Sequence, residues 1–225
     1  PPPPPTTLPP PPPTPTRWYR RRQRQMCIRD RIVGLPGEDL ASFGAGLDRL
    51  VALGPQEIQI GMLKRLRGAP IARHTESQGM VYQPFPPYQV LRTRALSFED
   101  VQRMGRFARY WDLVINSGRF GACRPLLLGT QPFARFLAFS DWLYARARQT
   151  HRIRLERLLE LVYSGLTECL GTSEKAAGDA VWKDFCRSGL KGVPAALRLL
   201  AAGRERTPSV ANARLPARQA RHAGG

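Results

Sequence analysis

From Ile32 onward, apolar residues fall into regular patterns. Ile32-Val33 reads as the end of a strand, and Gly34-Leu35-Pro36-Gly37 as a turn in which glycine supplies unusual backbone angles and proline fixes them. Glu38 and Asp39 then place negative charge at a helix start, where the helix dipole favours it. Leu40, Phe43, Leu47 and Leu50 recur at three- and four-residue steps, one apolar helix face that Gly54-Pro55 closes. From Glu57 to Leu63 the period changes to two, with Ile58, Ile60 and Met62 on one face and Glu57, Gln59 and Gly61 on the other. Strand, turn, helix and strand make a βαβ unit, the building block of parallel sheets.

Residues 68–96 are a long connection containing Pro84-Phe85-Pro86-Pro87-Tyr88, expected to be a packed crossover or a lid. Helical periodicity then takes over. Ser97-Phe98-Glu99-Asp100 is a capping-box signature, followed by the stripe Val101, Met104, Ala108, Trp111 and Ile115, which Asn116-Ser117-Gly118 ends. Further helices are predicted from about 131 to 149, from about 152 to 170 and after Thr172-Ser173, their leucine and aromatic stripes forming a bundle core. A short Ala/Leu helix follows Pro194, then a loosely ordered tail.

Composition changes the picture at the two ends. Residues 1–16 hold eleven prolines, a polyproline segment without core-forming capacity, and 17–31 are arginine-rich and unpatterned. Met26-Cys27-Ile28-Arg29-Asp30-Arg31 resembles a translated sequencing adapter, so 1–31 is expected to be a disordered, non-native leader; a proline-rich recognition ligand is the other reading. The net charge of +18 is concentrated there and in the tail: residues 1–31 carry seven Arg and one Asp, and 191–225 carry six Arg, one Lys and one Glu. Solvated arginine-rich ends account for this without a dedicated nucleic-acid partner. No run approaches the length of a membrane span and no secretory pattern opens the chain, so a cytoplasmic protein with no membrane partner is expected.

Candidate chemistry is sparse. Cys27, Cys123, Cys169 and Cys186 form no metal-binding spacing and are expected as free thiols, so no metal ligand is assigned. His74, His151 and His222 have no partner at convincing spacing, and no catalytic residue is assigned. Gly44-Ala45-Gly46 lies inside a helix pattern and is set aside as a nucleotide fingerprint. The Gly34–Glu38 turn suits a loop that approaches a ligand. In a barrel ringed by helices, Gln59 and Gly61 would face the interior, where glycine admits a flat ligand. Lys64, Arg65 and Arg67 follow at the strand end where barrels carry their sites, a pointer to anion binding. The expected class is α/β then mostly α: the last βαβ portion of a partial (β/α) barrel in 32–96, a helical domain in 97–202 and a basic tail in 203–225.

Ile32-Val33-Gly34-Leu35-Pro36-Gly37-Glu38-Asp39 resembles the turn after a late strand of the radical S-adenosylmethionine (SAM) barrel. Glu57–Ile71 resembles that family's next strand and turn, with Ala69 in place of the usual Thr. Pro86-Pro87-Tyr88-Gln89-Val90-Leu91, Asn116-Ser117-Gly118-Arg119-Phe120 and Arg218-Gln219-Ala220-Arg221-His222 are similar to one subgroup, the cobalamin-binding-domain-containing radical SAM proteins with a helical C-terminal domain of unknown function. The resemblance implies a parent enzyme with cobalamin and a 4Fe-4S cluster on a CxxxCxxC loop, cleaving SAM to a 5′-deoxyadenosyl radical that acts on an unknown substrate. It implies that Gly34, Gly37, Glu38, Gln59, Gly61 and Lys64 border the cofactor. The chain shows no CxxxCxxC loop, so it is expected to be a fragment inactive without the missing N-terminal part of the same protein. The rival expectation is a small basic helical module that binds RNA or an acidic partner.

Overall fold

The computed structural model describes residues 28–190, 192–193 and 197–198. The polyproline segment, Cys27, the tail from 203 to 225 and most of the short helix expected after Pro194 lie outside the described residues.

The βαβ unit comprises β1 (Ile28–Val33), α1 (Leu40–Ala52) and β2 (Glu57–Met62), with the two strands parallel and in register from Ile28 opposite Glu57 to Val33 opposite Met62. Asp39 caps α1 through a reciprocal pair of bonds with Ser42. The strand starts earlier than its apolar pattern suggests, which corrects the boundary expected after Arg31. Ladder bonds are made by the backbone, so polar side chains do not stop a strand. Arg31 meets the Glu38 carboxylate and lies 4.8 Å over the Phe43 ring, which makes its charge tolerable at a half-buried position.

The long connection is a packed crossover. It holds a tight helical turn (Pro70–His74) and an antiparallel hairpin of β3 (Val81–Tyr82) and β4 (Val90–Arg92), and Val90 N–H donates to the Leu63 carbonyl at 2.9 Å. The helical region follows as α2 (Phe98–Tyr110), α3 (Arg124–Leu128), α4 (Pro132–Ala147), α5 (Leu155–Ser164) and α6 (Glu174–Arg187). α2 and α5 each run on into a wide π-helical turn, Trp111–Ile115 and Gly165–Cys169. The helix expected from 152 starts only at Leu155, because Arg152 takes a left-handed backbone (φ 57°). The mixed α/β class holds. Among the described residues the strands form two two-stranded sheets rather than a barrel.

One continuous core crosses residue 96, where a domain boundary was expected: Val33, Ile58, Val90, Leu96, Val101 and Phe107 share it. Its spine is a chain of rings. Phe43 of α1 meets Phe133 at 5.9 Å, Phe133 meets Phe107 at 5.5 Å, and Phe136 packs edge-on against Phe107 and Trp111 at 5.3 and 5.1 Å. Gly44 permits this close crossing, since a Cβ there would stand 2.2 Å from Phe133.

The helical region grips β2 by one side chain. The buried Asn116 accepts from Ile58 N–H at 3.3 Å and donates to the Ile58 carbonyl at 3.0 Å, as a neighbouring strand would. Replacing Asn116 with Ala strands both backbone groups, so we expect a loss on the order of 3 kcal/mol in urea unfolding. Ser117→Ala removes a bond to the Val114 carbonyl and an acceptor for Arg119 N–H, all within one local turn, and is expected to cost roughly 1 kcal/mol. Equal losses for the two variants would show that the Asn116 grip is not special.

Candidate functional site

A cavity of about 570 Å³ lies between one face of the βαβ sheet and helix α2. β1 contributes Asp30, Arg31 and Ile32, and β2 contributes Gln59, Ile60 and Gly61. The register sets Asp30 beside Gln59 and Ile32 beside Gly61, so each pair shares a face. The opposite wall carries Gly105, Ala108 and Arg109 of α2 with Asp112 of the π-turn. Small residues on that wall hold the helix backbone near the sheet and leave the space open. Two polar anchors border it. Arg109 Nε donates to the Thr150 carbonyl at 3.3 Å and its Nη1 stands 3.8 Å from Asp112, whose other oxygen accepts from Asn116 Nδ2 at 3.3 Å. A volume in the range of roughly 300–1,000 Å³, with apolar walls and a few fixed polar groups, suits a small organic ligand.

The structure brings together two of the six residues expected at a site. Gln59 and Gly61 line the cavity, with Gln59 Nε2 donating to Glu57 at 3.3 Å and no atom within 4 Å of where a Gly61 Cβ would stand. Gly34, Gly37, Glu38 and Lys64 gather at the C-terminal ends of the strands, outside the lining. Gly34 is held by its φ of +92° and by Val90, whose Cγ1 would lie 2.8 Å from an added Cβ. Glu38 is committed to Arg31; burial raises its pKa, and the guanidinium opposes that rise. Lys64 is exposed and its backbone bridges to Gln89. Arg109 and Asp112 were missed because reading the helix by its apolar stripe passes over the polar residues beside it. Their Arg-x-x-Asp spacing was the available signal.

The buried ionisable groups elsewhere are structural. Asp184 is 1% exposed and accepts from Ala122 N–H at 2.9 Å and Cys123 N–H at 2.9 Å, fastening α6 to the start of α3. Burial raises its pKa, and the two amides offset only part of that. Burial also pushes the Cys123 thiol far up, with the Asp184 charge adding to it, and burial raises Cys169. Neither thiol has the lowered pKa of a nucleophile. Cys123, Cys169 and Cys186 are free.

A family model described as protein of unknown function (DUF4080) matches residues 76–203. The match opens inside the crossover, ahead of α2, in agreement with the shared core. No curated protein and no solved structure matches the chain.

Two outcomes test this description. Gly34→Ala forces an unfavourable φ and a clash and is expected to cost roughly 2 kcal/mol, whereas Gly61→Val fills open space and should stay within about 0.5 kcal/mol of the parent in thermal unfolding. A destabilised Gly61→Val would mean that the wall is closed there. The second concerns Asp184, whose folded pKa stands above its unfolded value, so the stability it confers is full below the unfolded pKa and declines as pH rises through the folded one. The stability of the parent relative to Asp184→Asn should therefore fall from about pH 4 upward. A difference that grows with pH would contradict the burial penalty.

Proposed function

The chain belongs to the DUF4080 family, and from that membership we propose that it is the C-terminal part of a cobalamin-dependent radical SAM enzyme. The observation that carries this reading is the match over 76–203, a domain found at the C-terminus of some cobalamin radical SAM proteins, sharing its core with a parallel βαβ unit. In such an enzyme a bound 4Fe-4S cluster would supply the electron for reductive SAM cleavage, with cobalamin as second cofactor.

The cavity residues fit the adenosyl part of SAM. Gly61 leaves the strand surface open and Gln59 offers an amide for a polar edge. Ile32 is the apolar side chain that shares the face of Gln59 and Gly61, while Arg109 and Asp112 border the cavity from the helical region as orienting groups. Gly34 and Gly37 shape the turn after β1, and Glu38 holds Arg31. Lys64, exposed beyond β2, is assigned to a ligand carboxylate. Among the described residues no three His, Cys, Asp or Glu side chains are grouped to hold a metal, so the cluster's ligands are assigned to the remainder of the parent.

The test is to read the gene upstream of Ile32 and express the longer frame. We expect a CxxxCxxC loop and conversion of SAM to 5′-deoxyadenosine by the reconstituted, reduced protein. Gly61→Val in that protein should weaken SAM binding at least about tenfold, worth roughly 1.4 kcal/mol, without lowering the unfolding temperature. A longer frame lacking the loop would overturn the assignment, and unchanged SAM affinity would remove Gly61 from the site.

A further inference from the structure

We propose that Gly105 is the specificity-determining residue that the helical region contributes to the cavity, keeping open a slot for the flat, uncharged ring system of a nucleoside. That a nucleoside enters rests on the radical SAM reading; that Gly105 sets the room for it rests on geometry. Gly105, Ala108, Arg109 and Asp112 all line the cavity and follow one another at the three- and four-residue steps of a single helix face. The same stripe begins one turn earlier at Val101, buried in the core shared with the sheet. It continues four residues further to Asn116, whose amide is bonded to Ile58 of β2. Both ends of the stripe are filled. The middle drops to glycine and alanine, and the cavity opens there.

Glycine inside a helix costs stability relative to alanine, so its presence calls for a reason. At other helical glycines the reason is packing: a Cβ on Gly44 would stand 2.2 Å from Phe133, and one on Gly165 would stand 2.5 Å from Phe139. Gly105 has no such neighbour, since no atom lies within 4 Å of where its Cβ would stand. Gly61, on the sheet wall of the same cavity, is equally bare. Two stretches of backbone without side chains, one from a strand and one from a helix, border a space that suits a planar ring.

The lining also selects by charge. It holds two cations, and each is met by a carboxylate: Arg31 by Glu38, and Arg109 by Asp112 at 3.8 Å. Neither guanidinium is left over to neutralise a phosphate, whose desolvation would go uncompensated. Gln59 supplies a neutral amide, a group that pairs well with the polar edge of adenine. The arrangement therefore favours a nucleoside over the corresponding nucleotide.

The experiment uses the full chain with 5′-deoxyadenosine and, separately, adenosine 5′-monophosphate, reading affinity by titration calorimetry and stability by thermal unfolding. Gly105→Ala should raise the unfolding temperature by about 2–4 °C, because it removes a helical glycine and meets no neighbour. Gly105→Leu should unfold no earlier than the parent yet bind 5′-deoxyadenosine at least about tenfold more weakly. Gln102→Leu, a change on an exposed part of α2 outside the cavity lining, should stay within about threefold of the parent affinity. The nucleotide should bind no more tightly than the nucleoside. A Gly105→Leu chain that binds as the parent does or unfolds early, an equal loss in Gln102→Leu, tighter binding of the nucleotide, or a parent that does not bind the nucleoside would overturn the assignment. None of these outcomes bears on the CxxxCxxC loop, whose absence upstream would remove the enzyme assignment and leave nucleoside binding by this cavity standing.

Discussion

The chain of rings from Phe43 through Phe133 and Phe107 to Phe136 and Trp111 is the interaction on which the rest depends. A two-stranded parallel sheet lacks the pairing and the covered faces that normally stabilise such sheets. Its order here is supplied by the helices. Each ring pair adds about 0.5–1.5 kcal/mol beyond simple burial, and the chain spans three helices, α1, α2 and α4. Because α1 is tied to this spine, the strands on either side of it hold their parallel register, and the cavity between sheet and α2 keeps its shape.

Much of this was legible from local pattern. The apolar face of α1, the Ser97 cap of α2 and the stripes of α4, α5 and α6 each state a period that only a helix satisfies. The alternation from Glu57 to Leu63 correctly put Gln59 and Gly61 on a common face. What could not be read depends on distant partners. Arg31 is acceptable in a strand only because Glu38 and Phe43 meet it. β3 and β4 are too short to show a period, α3 is a single turn or so, and the π-turns have no sequence rule. Asn116 looked like a helix end, yet its amide serves a strand 58 positions away. The opposite cavity wall comes from α2 and the π-turn after it, whose polar residues announce nothing until the sheet is placed against them.

Charge is used in two distinct ways. Inside, carboxylates act as fasteners: Asp184 ties α6 to α3 through backbone amides, and Glu38 secures the first strand through Arg31. Their raised pKa values reflect the cost of burial rather than tuning for proton transfer. Outside, pairing is selective. Arg103 with Asp141 and Arg146 with Glu168 join neighbouring elements, while the arginines of the turn between α4 and α5, like several exposed arginines elsewhere, make no ion pair among the described residues.

Asn116 occupies both hydrogen-bonding groups of Ile58 on β2. A strand approaching from that side would find the position taken by a side chain that cannot be displaced without leaving buried amide groups unpaired. The sheet therefore has a polarity of growth: it is stopped at β2, and any third strand must join at β1. Whatever completes the sheet, from this chain or another, meets the molecule at Ile28–Val33, and the helical region acts as a terminator that fixes where addition ends.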